Sequence, residues 1–194
     1  MSDQDTPPAD TAALRRLAQV ERQTQAERLT QVESELAVRN LVARYGMAVD
    51  CGDADMAAAL HTEDCVYEVA APGAGRDDDE RHQEENLILQ GRPAIHAMVS
   101  GSAHQALLPN CAHTVGPLEV IVKGDTASAM GYSRLYLFDG DRPSLLRLGF
   151  NRWQLRKENG VWRIARRSSC PIGSGQAQEL LRGGIQDWDF PLQP

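Results

Sequence analysis

VESELAVRNLVARYGMAVD, residues 32–50, decides the fold. Val38, Leu41, Val42, Tyr45, Ala48 and Val49 recur at steps of three and four, one apolar face of an amphipathic helix. No proline interrupts it, and Gly52 supplies a stop. Asp53 then reads as the N-cap of a short helix over 54–61. Upstream, residues 11–36 are rich in Ala, Leu, Gln, Glu and Arg and predict further helix. Its apolar positions, Leu14, Leu17, Val20, Leu29, Val32 and Leu36, do not hold one heptad register. We therefore expect an amphipathic arm over 12–34 that lies on this subunit or a neighbour, not a long coiled coil. Residues 1–11, with three Asp and two adjacent prolines, are expected to be a disordered tail.

Downstream the pattern changes. A strand is predicted at 65–70, a long surface loop at 71–90 around the acidic run Asp77–Glu80, and a helix from 91 to 102. After Pro109 the sequence reads as strands at 112–123, 126–138, 145–157 and 162–168. They are punctuated by Gly124–Asp125, Asp139–Gly140–Asp141 and Asn159–Gly160, the last a strong hairpin signal. Helices followed by hairpin-linked strands predict an α+β domain over 35–170, helices packed on one face of a curved antiparallel sheet. The stretch 171–194, with Trp188 and Phe190, is expected to wrap over the body or a partner.

Composition narrows the function. The 194 residues are 42% hydrophobic, enough for one core-bearing domain. With 20 Lys and Arg against 27 Asp and Glu, the net charge of -7 argues against nucleic acid and anionic membranes as partners. No apolar run is long enough to span a bilayer and the start is polar and acidic, so a soluble, cytoplasmic protein is expected. Cys51, Cys65, Cys111 and Cys170 form no C-x-x-C pair and are expected to be reduced thiols with packing roles. P-loop, G-x-G-x-x-G, G-x-S-x-G and H-E-x-x-H patterns are absent. His82 with Glu84 and Glu85 has a chelating spacing, but its charged loop reads as solvated surface, so no metal or cofactor is expected.

Acid–base chemistry remains. Of five histidines, only His113 opens a predicted strand. Asp50 ends the best helix, where the negative end of the dipole disfavours a carboxylate, so it calls for a compensating, cationic partner. On the residues alone, simpler structural readings stand beside these: Asp50 as a turn residue, His113 as a hydrogen-bonded strand residue, Tyr45 as core.

RNLVARYGMAVDCGDADMAAALHTEDCVYE (39–68), GRPAI (91–95), CAHTVGPLEVIVKGDTASA (111–129) and ENGVWRI (158–164) together resemble the SnoaL-like branch of the nuclear transport factor 2-like superfamily. The resemblance implies a cone, an α+β barrel whose strongly curved sheet wraps helices around a deep apolar pocket. Relatives include scytalone dehydratase, hexachlorocyclohexane dehydrochlorinase, bile acid 7α-dehydratase and ketosteroid isomerase. The dehydratase and dehydrochlorinase types use an Asp–His dyad that falls on Asp50 and His113, and the bile acid enzyme adds a Tyr that falls on Tyr45. A five-residue step places Tyr45 and Asp50 about 140° apart on an ideal helix, so both reach one pocket only if the helix unwinds near Asp50. Those enzymes also carry a basic residue beyond the last strand; Arg166 and Arg167 stand nearby but out of step. The resemblance thus implies a cofactor-independent lyase or isomerase acting on a hydrophobic, steroid-like or polycyclic small molecule, in a homo-oligomer. The alternative is a non-catalytic binding or assembly module of the same fold.

Overall fold

A computed structural model of the chain describes residues 9–70 and 86–186, with side chains from residue 13. The expectations for residues 1–8, for the acidic loop with His82, Glu84 and Glu85, and for Trp188 and Phe190 lie outside these.

One helix, α1 (Ala9–Asp50), takes in the arm and the first core helix without a break. Residues 9–11, expected in the disordered tail, are its first turn. Val38, Leu41, Val42, Tyr45, Ala48 and Val49 are buried, as their spacing predicts. The N-terminal half meets no core: Leu14, Leu17, Val20 and Leu29 stay more than half exposed. Gly52 turns the chain at φ +73°, a left-handed conformation that glycine adopts without steric cost. Asp53 then accepts the Met56 N–H at 2.8 Å and caps α2 (Ala54–Ala59).

Seven strands form one sheet: β1 (His61–Val69), β2 (Leu87–Gln90), β3 (Cys111–Val115), β4 (Glu119–Lys123), β5 (Thr126–Phe138), β6 (Pro143–Glu158) and β7 (Val161–Pro171). The helices α3 (Gly91–Ser100) and α4 (Ser102–Gln105) stand between β2 and β3, and α5 (Gly175–Gln186) follows β7. The order is β2-β1-β7-β6-β5-β3, with β4 also on β5.

Several boundaries depart from expectation. β1 begins at His61 because α2 ends two residues early, at Ala59. The end of the expected long loop is β2, paired with β1 from Val66↔Gln90 to Val69↔Leu87. The single strand expected at 112–123 is two, β3 and β4. Gly116, Pro117 and Leu118 stand opposite Gly131 and Tyr132 alone, so the extra residue forms a bulge, and Pro117 has no N–H to continue the ladder. The sheet is not wholly antiparallel: β1 runs parallel to β7. Part of the expected C-terminal wrap is the helix α5, whose Ala177 is buried. All four cysteines are free thiols. Among the described residues, no helix is long and apolar enough to cross a membrane.

α1, α2 and α3 cover the concave face of the sheet, and Ile95, Val99, Trp153, Leu155, Trp162 and Ile164 fill the space between. The widened end of this core is left open as a cavity.

Candidate active site

Asp50 and His113 meet where the end of α1 crosses β3. The crossing is close because residue 46 is glycine. A Cβ there would lie 3.0 Å from the His113 carbonyl oxygen, tighter than nearly all real contacts. Asp50 Oδ1 accepts from the His113 ring Nδ1 at 2.6 Å, and the His113 backbone N–H donates to both carboxylate oxygens, at 3.0 and 2.8 Å. Cys111, two residues earlier on the same strand face, donates its thiol to Asp50 Oδ1 at 3.8 Å. Burial, then the Asp50 charge, pushes the Cys111 thiol up, so it stays protonated.

Asp50, Cys111 and His113 also bring one ligand-type atom each within 4.8 Å of one another. Their geometry is that of hydrogen bonds. The carboxylate is occupied by two N–H groups and a thiol, and the Nδ1 that would bind a metal carries the proton it donates.

Burial holds His113 below the ordinary histidine value, against the pull of Asp50, with smaller contributions from Arg167 and His104. His113 is therefore neutral at neutral pH. With the proton on Nδ1 facing the carboxylate, Nε2 is the basic lone pair. The partner of the helix-end carboxylate is thus a set of hydrogen-bond donors, not the resident cation expected.

His113 lines a cavity of about 140 Å³. Val42, Val49, Val69, Met98, Val115 and Leu135 give it an apolar wall; Tyr45, Tyr67, His104, Arg147, Trp153 and Arg167 give it polar edges and aromatic faces. Asp50 is not in the wall. It stands behind His113, which is why α1 remains helical through Asp50 while Tyr45, five residues earlier, faces the cavity.

Tyr45 is buried at 7% exposure, its ring edge-on to His61 at 5.1 Å. Burial, then Tyr67, raises its phenol well above the ordinary value, so it remains a donor. Arg167 sits over the rings of Tyr67, Trp153 and Tyr45, at 4.7, 5.9 and 5.8 Å from their centroids. It donates to the Tyr67 hydroxyl and, through Nε and Nη2, to Asn151 Oδ1 at 3.1 and 2.9 Å.

The structure therefore brings Asp50, His113 and Tyr45 to one end of the cone. Tyr67, Arg147, Cys111 and His104 have no site role in the sequence reading, and Arg167 appears there only beside Arg166, out of step. Arg167 shows why. Trp162 and Ile164 face the core, and strict alternation would turn Arg166 inward next. Instead Ala165 is an extra residue between the pairs Leu155↔Ile164 and Gln154↔Arg166, a bulge that reverses the faces. Arg167 thus turns in beside Trp153, and Arg166 turns out to Glu68, at 2.9 Å. A signal for Arg147 was present: Arg147, Gly149, Asn151 and Trp153 alternate along β6 on the inward face. His104 opens no predicted strand, yet its Nε2 meets the Val49 carbonyl at 2.8 Å and its ring lies 6.1 Å from that of His113.

The sequence profile of the SnoaL-like domain matches residues 30–168. Among solved structures, a nuclear transport factor 2-like protein with a cystatin-like fold from Novosphingobium aromaticivorans is 34% identical, with a TM-score of 0.71. That match covers 81% of this chain and 94% of the other. A Mycobacterium tuberculosis protein of unknown function is 21% identical over 81% of this chain and 89% of its own, TM-score 0.61. A Catenulispora acidiphila structure in complex with S-DNPA is 21% identical over 73% of this chain and 95% of its own, TM-score 0.57. At those identities the last two show the fold alone. No protein of curated function matches the chain.

Proposed function

The chain belongs to the SnoaL-like domain family, and from that premise we propose that it is a cofactor-independent lyase or isomerase whose His113–Asp50 dyad removes a proton from a small hydrophobic molecule. One observation carries the reading: the 2.6 Å bond from His113 Nδ1 to Asp50, on a neutral histidine that lines an apolar-walled cavity. His113 Nε2 is the general base. Asp50 fixes the tautomer and stabilises the imidazolium once the proton has moved. The Tyr45 phenol, kept protonated by burial, donates to the developing oxyanion or departing hydroxyl. The apolar walls hold the ligand and exclude water.

Size bears on the substrate. A cavity near 150 Å³ accommodates about one benzene ring, so about 140 Å³ supports a compact ligand. A steroid-like or polycyclic body would leave most of its rings outside the mouth.

The test is elimination and hydrogen–deuterium exchange on a panel of hydroxylated and enone-bearing ring compounds in deuterated water. His113→Ala should abolish both, Asp50→Asn should lose about three to four orders of magnitude, and Tyr45→Phe about 10²–10³-fold. Substantial turnover by His113→Ala ends the His-base proposal. Binding by the wild type without exchange or elimination assigns the cavity to a non-catalytic binding module. The exposed apolar positions of the α1 arm lead us to propose that a second copy covers them, making the protein a homo-oligomer.

A further inference from the structure

Two guanidinium groups line the cavity: Arg147 from β6 and Arg167 from β7. His113, Leu135 and Arg147 are successive partners across β3, β5 and β6. Strand spacing puts the His113 and Arg147 backbones ~10 Å apart, at two ends of one inward-facing row. The next inward row is Val115, Ser133 and Gly149, beside Ser169 and Asn151 on the adjoining pair. Beside Leu135, the floor between the dyad and the arginines therefore carries the Ser133 and Ser169 hydroxyls. Asn151 donates to Ser133 Oγ at 2.6 Å, so that hydroxyl keeps its own proton to offer to a ligand.

Among the described residues, neither arginine meets a carboxylate. Four acidic groups of β1 and β6 pair with other arginines: Glu68 with Arg166, Asp64 and Glu158 with Arg156, and Glu63 with Arg92. Asp50 is taken up by His113 and Cys111. Arg167 donates to the neutral acceptors Asn151 and Tyr67, and Arg147 to the Ala70 carbonyl at 3.2 Å. Burial, then the neighbouring Arg167 charge, presses the Arg147 guanidinium downward. Removing two cations from water is costly unless a counter-charge joins them. The planar guanidinium fork matches a carboxylate in a bidentate pair.

We propose that Arg147 and Arg167, with the Ser133 hydroxyl, form a carboxylate-binding subsite, and that the ligand of the cone is a compact apolar molecule carrying one carboxylate. The proposal rests on the dyad reading for what happens to the ligand, and not for its binding. The carboxylate pins one end of the molecule at the arginines, and the apolar walls hold its body. The carbon that faces His113 then lies a few ångströms from the anchored group. Arg167 is already clamped by Asn151 and three aromatic rings, so it is a pre-set anchor. Arg147 has one backbone acceptor and is the arm that closes on the acid.

Isothermal titration calorimetry on the full chain tests this with benzoate and cyclohexanecarboxylate against benzamide and cyclohexanecarboxamide. Each acid should bind about tenfold or more tightly than its amide. Arg147→Gln should lower acid affinity to the level of the amide and leave amide affinity unchanged. Arg147→Lys should recover part of the preference, since charge returns without the fork. Arg167→Gln should do at least as much. Because Arg167 also ties Asn151 and Tyr67 together, Arg147→Gln decides if that variant fails to fold. Acids and amides binding alike, neither class binding, or an acid preference that survives Arg147→Gln would each overturn the subsite. The two proposals fail separately. Acid preference without proton exchange in deuterated water refutes the dyad and leaves the subsite; exchange on neutral ketones without acid preference does the reverse.

Discussion

Asp50→Asn changes one atom's chemistry at the centre of the site. The Asp50 carboxylate receives the His113 backbone N–H at 2.8 and 3.0 Å, the His113 Nδ1–H at 2.6 Å and the Cys111 thiol at 3.8 Å. An amide has one oxygen for these donors, and its NH₂ must face one of them. At least one hydrogen bond to a charged acceptor is lost and one donor is left facing another. In a partly buried site that costs about 1.5–3 kcal/mol of stability. With a urea slope of about 1–3 kcal/mol per molar, the unfolding midpoint should fall by about 1 M. The same change acts on His113, because the hydrogen bond and charge of Asp50 are what raise its affinity for protons against burial. With both gone, the His113 pKa should fall further. The tautomer should also shift toward Nε2–H wherever the amide N–H points at Nδ1. Nitrogen-15 chemical shifts of the His113 ring, followed against pH, read both effects without a substrate. The wild type should show the Nδ1–H form and a midpoint below the usual histidine value. A His113 midpoint in Asp50→Asn that is unchanged or higher would refute the account of the dyad.

Other expectations follow from the same structure. His61 is 1% exposed and held by burial at a pKa of about 4, down from 6.5, with Nδ1 against the Ala57 carbonyl at 2.8 Å. A depressed pKa means the unfolded chain binds more protons between those values. This contribution is full above pH 6.5, falls as pH drops toward 4, and amounts to about 3 kcal/mol. Denaturant titrations of wild type and His61→Gln at pH 7 and pH 4 should differ in their pH loss by roughly that amount, and parallel losses would count against it. For catalysis, the rate constant kcat/KM should rise with pH as His113 loses its proton and level off with a midpoint below the ordinary histidine value. A plateau reached only above pH 7 would contradict a neutral, buried base. Gly46→Ala should push α1 from the His113 carbonyl, since the new Cβ would lie 3.0 Å away; activity should drop while affinity for the acids changes little. Deleting residues 1–34 should reduce the number of subunits measured by light scattering, because Leu14, Leu17, Val20 and Leu29 lie open on the single chain. An unchanged number of subunits would make the arm dispensable to assembly.

The residues alone determined what depends on local periodicity and on single backbone positions. The apolar face from Val38 to Val49 has the period of a helix and is buried as one. Gly52 and Asp53 set its end and the next cap, and β5 spans the expected 126–138. Asp50, Tyr45 and His113 were legible because each lies next to such a marker, and the resemblance gave them roles. Only the tertiary structure decided what depends on pairing between distant strands. Whether Arg166 or Arg167 faces the cavity turns on the bulge at Ala165, which exists only in register against Gln154 and Leu155. The parallel β1–β7 pair that brings Tyr67 beside Arg167 joins strands about a hundred residues apart, beyond the reach of any local pattern. The helix did not need to unwind at Asp50, because the cavity asks for His113 and the carboxylate stands behind it. The volume of the cone and the meeting of Arg147 and Arg167 likewise belong to the packed sheet, since neither room nor a pair of neighbouring cations exists until the strands have closed around them.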